Sequence, residues 1–275
     1  MQLHHLDNSF LAMYRPARLR FTDSDALPKT IRPVWDALRA QQHRLALRHG
    51  YKLLRENELD ENERAAVLAA LSSAELDNGV AAEARRMARE SIDLVEHQWM
   101  AHRVLLTAHL SDGSFDTCSN LLDGIPTTMK TPVWDEPLSK SDRHVLRAAI
   151  SWMTQHWDDT AAQLSDAYPD GVAQMPRALQ EDWFRLAFYR DESKDAADAA
   201  SELIGGHSSE KADILIQTLV RQGWHREALQ LYRTIYDQDP SSELLRRRVV
   251  GLCIREGNVK EARRLMEQGA LRLAV

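Results

Sequence analysis

Apolar residues recur along this chain every three or four positions, with polar residues between them and few breakers. From Pro33 to Glu56, Val34, Leu38, Leu45, Leu53 and Leu54 fall at helical spacing and Pro33 suits a first turn, which predicts one long helix. The same period predicts helices over 62–76, stopped by Asp77-Asn78-Gly79, then over 81–95 and over 99–110, stopped by Asp112-Gly113. A short helix over 115–122 ends at Gly124 and Pro126. The stretch TTMKTPVWDEPLSK, residues 127–140, has two prolines and no helical period, so it is expected to be a loop. Helical spacing resumes at Ser141, which can cap, with Asp142 in the first turn. Helices are then expected over 141–155, 158–168, 177–190, 194–204, 210–222, 226–236, 242–255 and 260–271. Runs of β-branched residues are scarce, and Ala, Leu, Arg and Glu dominate. The chain is expected to be all-α, about a dozen helices joined by short turns.

Two stretches near the C-terminus echo each other. RQGWHREALQLYRTIYDQDP, residues 221–240, matches REGNVKEARRLMEQGA, residues 255–270, at Arg221/Arg255, Gly223/Gly257, Glu227/Glu261, Ala228/Ala262 and Leu231/Leu265, each pair 34 residues apart. Gly79 and Gly113 are also 34 apart, with Ala84 and Cys118 five residues after them. A helix, a glycine-centred turn and a second helix at this interval describe an αα-hairpin that cannot bury its apolar face alone and stacks on its neighbours. Glycine suits the left-handed residue that ends the first helix. Ala228 and Ala262 are small where two helices approach, Leu231 or Tyr232 wedges between units, and Pro240 ends a second helix.

This pattern resembles the tetratricopeptide repeat. Gly223, Ala228, Tyr232 and Pro240 match that family's turn glycine, small alanine, aromatic and terminal proline, and Gly257 and Ala262 match in the next unit, with Met266 in the aromatic slot. Trp152 with Ala161, and Trp183 with Ala196, supply the same residue types in between at less regular spacing. The resemblance implies a right-handed α-solenoid of about six stacked antiparallel hairpins. Its expected organisation is an N-terminal arm or cap over 1–32, hairpins over 33–126, an inter-repeat loop over 127–140 and further hairpins over 141–275. From Asp158 onward the order of an acidic helix, EDWFRLAFYRDESKDAADAA and two regular repeats also resembles the helical domain of some bacterial transcriptional activators. Residues 1–60 contain no strand-rich wing of the kind that binds DNA in those proteins.

Charge and chemistry change this picture little. The chain has 275 residues, 44% of them hydrophobic, and a net charge of −6, which offers no global basic field for nucleic acid or anionic lipid. The charge is unevenly spread: 13 acidic and 5 basic residues from Asp158 to Asp213, but 8 basic and 4 acidic from Glu243 to Val275, including Arg246, Arg247 and Arg248. That asymmetry allows head-to-tail self-association. Two cysteines, Cys118 and Cys253, suggest a reducing compartment, and the absence of a signal-like start or a long apolar run makes a cytoplasmic protein without membrane insertion the expectation. His97, His102 and His109 lack zinc-site spacing, and His102 and His109 land in core slots of the repeat. Asp158-Asp159 and Glu181-Asp182 read as helix-start or solvated carboxylates rather than a catalytic pair. No nucleophile-elbow or phosphate-loop motif occurs, so neither an enzyme nor a cofactor is expected.

In stacked hairpins the first helices line a groove. That register points Arg103 and Thr107, Asp213 and Gln217, and Arg247 into it, the candidate contacts to a protein or peptide partner. YRPARLRF, residues 14–21, is expected to cover the first hairpin or dock on a partner, and Trp134 either packs on the neighbouring hairpins or anchors an interface. The function expected is that of an interaction scaffold, with a regulatory helical module of a transcriptional or signalling complex as the alternative.

Overall fold

The computed structural model describes residues 27–56, 59–96, 98–125, 138–205 and 209–273. The expectations for the arm at 14–21, for His97 and for Trp134 lie outside them. Among the described residues the chain is all-helical, with no strand. The fourteen α-helices of the described residues are α1 Arg32–Arg39, α2 His43–Glu56, α3 Glu61–Asp77, α4 Ala81–Leu94, α5 Trp99–Ser111, α6 Phe115–Gly124, α7 Lys140–Met153, α8 Trp157–Ala167, α9 Arg177–Arg190, α10 Ser193–Ile204, α11 Ser209–Gln222, α12 His225–Gln238, α13 Glu243–Arg255 and α14 Val259–Leu273. A 3-10 turn, Val172–Gln174, precedes α9. Two compact units divide the chain, Met1–Ala167 and Tyr168–Val275.

The helix expected over 33–56 is broken at residues 40–42, because Gln41 takes a left-handed conformation with φ 58°. This break reveals the rule of the fold. Seven residues, Gln41, Gly79, Gly113, Gln155, Asp191, Gly223 and Gly257, adopt φ between 56° and 91°, and each ends the first helix of a pair. Every one makes the same two backbone bonds. Its own N–H reaches the carbonyl three residues back, and the next N–H reaches the carbonyl five back, as in Gly79 to Leu76 at 3.0 Å and Val80 to Glu75 at 2.9 Å. The counterparts at Gln155 are Gln155 to Trp152 at 3.1 Å and His156 to Ser151 at 2.8 Å. This is the Schellman turn, which satisfies the last carbonyls of a helix. The described residues therefore form seven helix pairs, where about six were expected for the chain.

Five residues after each left-handed residue, where the second helix starts against the first, stand Ala46, Ala84, Cys118, Thr160, Ala196, Ala228 and Ala262, all small and all buried. Thr160, not Ala161, fills the fourth position, and its hydroxyl is satisfied by donating to the His156 carbonyl at 2.9 Å. A larger side chain here would drive the two helices apart.

In the first unit each helix packs on its neighbours along the chain, and α3 also packs on α1 and α5. Trp35, Leu38, Leu71, Met87 and Val104 belong to its core. Helix α3 begins at a capping box, in which Asp60 and Glu63 each bond the other's backbone N–H. Ten consecutive α3 residues, Ala65 to Ala74, are buried, so this helix is covered on every side. Gly50 of α2 allows the close approach: a Cβ there would stand 2.5 Å from Cδ2 of Leu71. Helix α7 starts earlier than expected, capped by Ser139 with Asp142 as its reciprocal partner, while the Ser141 hydroxyl donates to the Ala167 carbonyl at 3.1 Å. In the second unit consecutive helices pack from α9 to α14, and α10 also packs on α12.

Candidate functional site

The repeating turn supplies a common register for comparing the first helices of the pairs. The positions ten and six residues before each left-handed residue are those occupied by Arg103/Thr107 in the third pair and Asp213/Gln217 in the sixth. In the first pair they hold Ile31 and Trp35, in the second Ala69 and Ser73, and in the fourth Val145 and Ala149, all buried. Thr107 is buried as well, and Arg103 half-buried. The second unit differs. Its corresponding residues are Glu181 and Arg185 on α9 and Arg247 and Gly251 on α13, all exposed, with Asp213 and Gln217 on α11 half-buried. The same helix face is closed by packing in the first unit and open and charged in the second.

Asp213 and Gln217 converge on one group. The Tyr232 hydroxyl from α12 donates to Asp213 Oδ1 and accepts from Gln217 Nε2 at 2.8 Å, so both its donor and its acceptor capacity are used. Arg248 of α13 grips the same carboxylate with two N–H groups, both at 3.1 Å. Burial, reinforced by the Asp213 bond, raises the Tyr232 phenol well above its usual range. This network ties α11, α12 and α13 to one another, a fork-to-carboxylate geometry only arginine supplies. The sequence alone does not mark Arg248, because the register points Arg247 into the groove. Its signal is the neighbouring slot, nine residues before Gly257, which holds Ile214 one repeat earlier. Arg247 itself is exposed and bonds Glu243 one turn back at 2.7 Å, which holds that carboxyl below its usual range.

Beside the network, α9, α10 and α11 enclose an open pocket of about 410 Å³. Phe184 and Leu203 are its buried apolar lining, Arg177, Glu181 and Arg185 its charged lining, and Ile214, 63% exposed, stands at its rim. Arg177 donates to the Leu203 carbonyl at 2.9 Å. Arg185 reaches Asp182 at 3.3 Å; Asp182 is buried, so the Glu181-Asp182 pair is not wholly solvated as expected. A pocket of this size admits one or two side chains of a partner, with charged groups around an apolar seat.

The residues considered for catalysis have packing partners. His102 bonds the Glu96 carbonyl through Nε2 at 2.9 Å and lies against Trp99, with ring centroids 6.0 Å apart. His109 is buried, and loss of hydration lowers its pKa. Cys118 donates to the Leu106 carbonyl at 3.6 Å, and burial pushes its thiol up to about 12. Arg143, which no motif in the sequence marks, is buried, donates to the Leu122 and Ile125 carbonyls at 3.3 and 2.8 Å, and stacks 6.0 Å from the Trp99 ring centroid. It closes the C-terminus of α6. Among the described residues no group of three or more His, Cys, Asp or Glu side chains could hold a metal ion, and no helix is long and apolar enough to cross a membrane.

No family model matches the chain, and no curated protein is significantly similar to it.

Proposed function

We propose that the seven pairs stack as a right-handed solenoid of the tetratricopeptide type and that the protein is a non-catalytic scaffold. In this reading the first-helix face of the second unit takes a peptide or protein partner. One observation carries it: of the eight equivalent positions in the first unit seven are buried, with Arg103 half-buried, whereas none of the six in the second is buried and Glu181, Arg185 and Arg247 stand exposed there. Nothing in the packing of a helix pair requires that change, since the pairs of the first unit form without it. Charges held at an open face supply orientation and partner discrimination, and the apolar seat at Phe184 and Ile214 supplies burial. Arg103, on the largely closed face of the first unit, makes no part of this surface.

The test is affinity capture from native cells with mass spectrometry, using the wild type, an Arg185→Glu/Arg247→Glu double variant and an Arg103→Glu variant. Loss of the same partner from the double variant alone supports the reading. Capture that is unchanged by the double variant removes it.

A further inference from the structure

In the first unit two polar side chains close the ends of second helices. Arg143, twelve residues before the left-handed residue of the fourth pair, donates to the Leu122 and Ile125 carbonyls at the C-terminus of α6. His102, eleven residues before that of the third pair, bonds the Glu96 carbonyl just past the end of α4. Both are buried. In the seventh and sixth pairs the same two slots hold Leu245 and Ala212, buried as well. Neither can bond a helix end, and alanine is much smaller than histidine. A cavity of about 430 Å³ lies there, among α10, α11, α12 and α13. Ala212, Leu231 and Leu245 form its floor, half-buried Ile204 and Ile235 its walls, and exposed Gln238 and Asp239 part of its mouth.

The electrostatics of this cavity select its ligand. Asp239 directly follows the last residue of α12, so its carboxylate adds to the partial negative charge of that helix end. The Ser241 hydroxyl donates to its Oδ1, and among the described residues Asp239 makes no ion pair. No lysine or arginine lines the cavity among those residues. The neighbouring α10 ends differently, with its Leu203 carbonyl accepting from Arg177 at 2.9 Å. The ends of α6 and α10 thus each take a guanidinium from the chain, whereas the end of α12, with a carboxylate added, lines a cavity without one. An alkylguanidinium answers both halves of this lining: its planar fork matches a carboxylate, and its stem packs on apolar walls.

We propose that this cavity binds an alkylguanidinium group, with its stem against Leu231, Ile235 and Leu245 and its fork on Asp239 and the end of α12. The site is separate from the first-helix face and does not depend on it. Titration of butylguanidinium into the full chain, followed by protein NMR, is expected to give a Kd of about 1 mM for so small a ligand. Butylurea, the same shape without the charge, is expected to bind about fivefold more weakly, and Asp239→Asn to weaken butylguanidinium by about the same factor. Leu245→Arg, which rebuilds the Arg143 arrangement within the chain, is expected to abolish binding. Should that variant lose its helical circular dichroism, Asp239→Asn, altered only at an exposed position, decides alone. Binding of N-acetylarginine methylamide as well assigns the ligand to an arginine side chain of a partner, and its exclusion assigns it to a free guanidinium compound; either outcome supports the site. No binding of butylguanidinium up to about 10 mM, equal binding of butylurea, unchanged affinity in Asp239→Asn, or binding by a folded Leu245→Arg overturns the proposal.

Discussion

The seven Schellman turns make a quantitative prediction, because nature has placed glycine at four of them and a side chain at three. A left-handed conformation costs an L-residue about 1 to 2 kcal/mol relative to glycine, and glycine costs about 0.4 to 1 kcal/mol through the freedom it gives the unfolded chain. The difference leaves about 0.5 to 1 kcal/mol in favour of glycine at such a site. The local geometry isolates this effect. A Cβ at Gly79, Gly223 or Gly257 would have no atom within 4 Å, so an alanine there clashes with nothing and the loss is conformational alone. Gln41, Gln155 and Asp191 are exposed, so glycine replaces no buried side chain. Gly223→Ala is therefore expected to destabilise the protein, and Gln41→Gly and Gln155→Gly to stabilise it, each by about 0.5 to 1 kcal/mol. Asp191→Gly gains less, since aspartate tolerates this region. The sites share no partner, so the gains add. For a chain of this length 1 kcal/mol moves Tm by about 2 °C, and the triple glycine variant is expected near 3 °C above the wild type. Urea titration followed by circular dichroism measures the same differences at unchanged slope. If Gly223→Ala melts with the wild type while Gln155→Gly melts lower, the argument from backbone conformation fails.

Two further expectations follow from buried groups. Cys118, with its thiol pushed up to about 12 by burial, is expected to resist a disulfide exchange reagent at pH 8 in the native protein and to react at once in denaturant; fast native labelling of Cys118 would contradict the packing around it. For His109 the folded pKa lies below the unfolded one, so between the two the unfolded chain binds the extra proton and stability falls as pH drops below about 6.5. His109→Gln should flatten the stability profile in that window, measured by urea midpoints from pH 7 to 5, and an unchanged profile refutes the assignment.

The visibility of the turns in the sequence follows the same energetics. Gly79, Gly113, Gly223 and Gly257 are legible because glycine is the residue that the left-handed conformation favours, and the 34-residue spacing makes them coincide. Gln41, Gln155 and Asp191 carry no such mark. Gln41 lies inside a continuous helical pattern, with Leu38 before it and Leu45 after it, so the pattern runs through the break and predicts one helix. Packing of α2 on both α1 and α3 outweighs the small backbone cost at Gln41 and folds the segment into two helices. The drift in spacing, 42 residues from Gly113 to Gln155 and 36 to Asp191, hides the remaining turns from any search at a fixed interval. Register by itself also placed Ala161 where the structure places Thr160, because a one-residue shift leaves a small side chain in either position.

The candidate face was legible only as a set of positions. A register states which side chains share a helix face, but whether that face is covered depends on what the neighbouring segments bring to it. Arg103 and Arg247 occupy the same slot, yet Arg103 stands beside the buried Thr107 and Arg247 beside the open Gly251. Arg248 shows the reverse case. An arginine in a run of three reads as a solvated charge, but its two bonds to Asp213 make it a structural part that joins α13 to α11. That division has a consequence for function. Because Arg248, Gln217 and Tyr232 already engage Asp213, the binding face we propose is a fixed platform, with Arg185, Glu181 and Arg247 as the side chains left at its surface. Under that proposal recognition would proceed without the cost of ordering the scaffold itself, and affinity would depend on the fit of the partner's charges and of a side chain seated against Phe184.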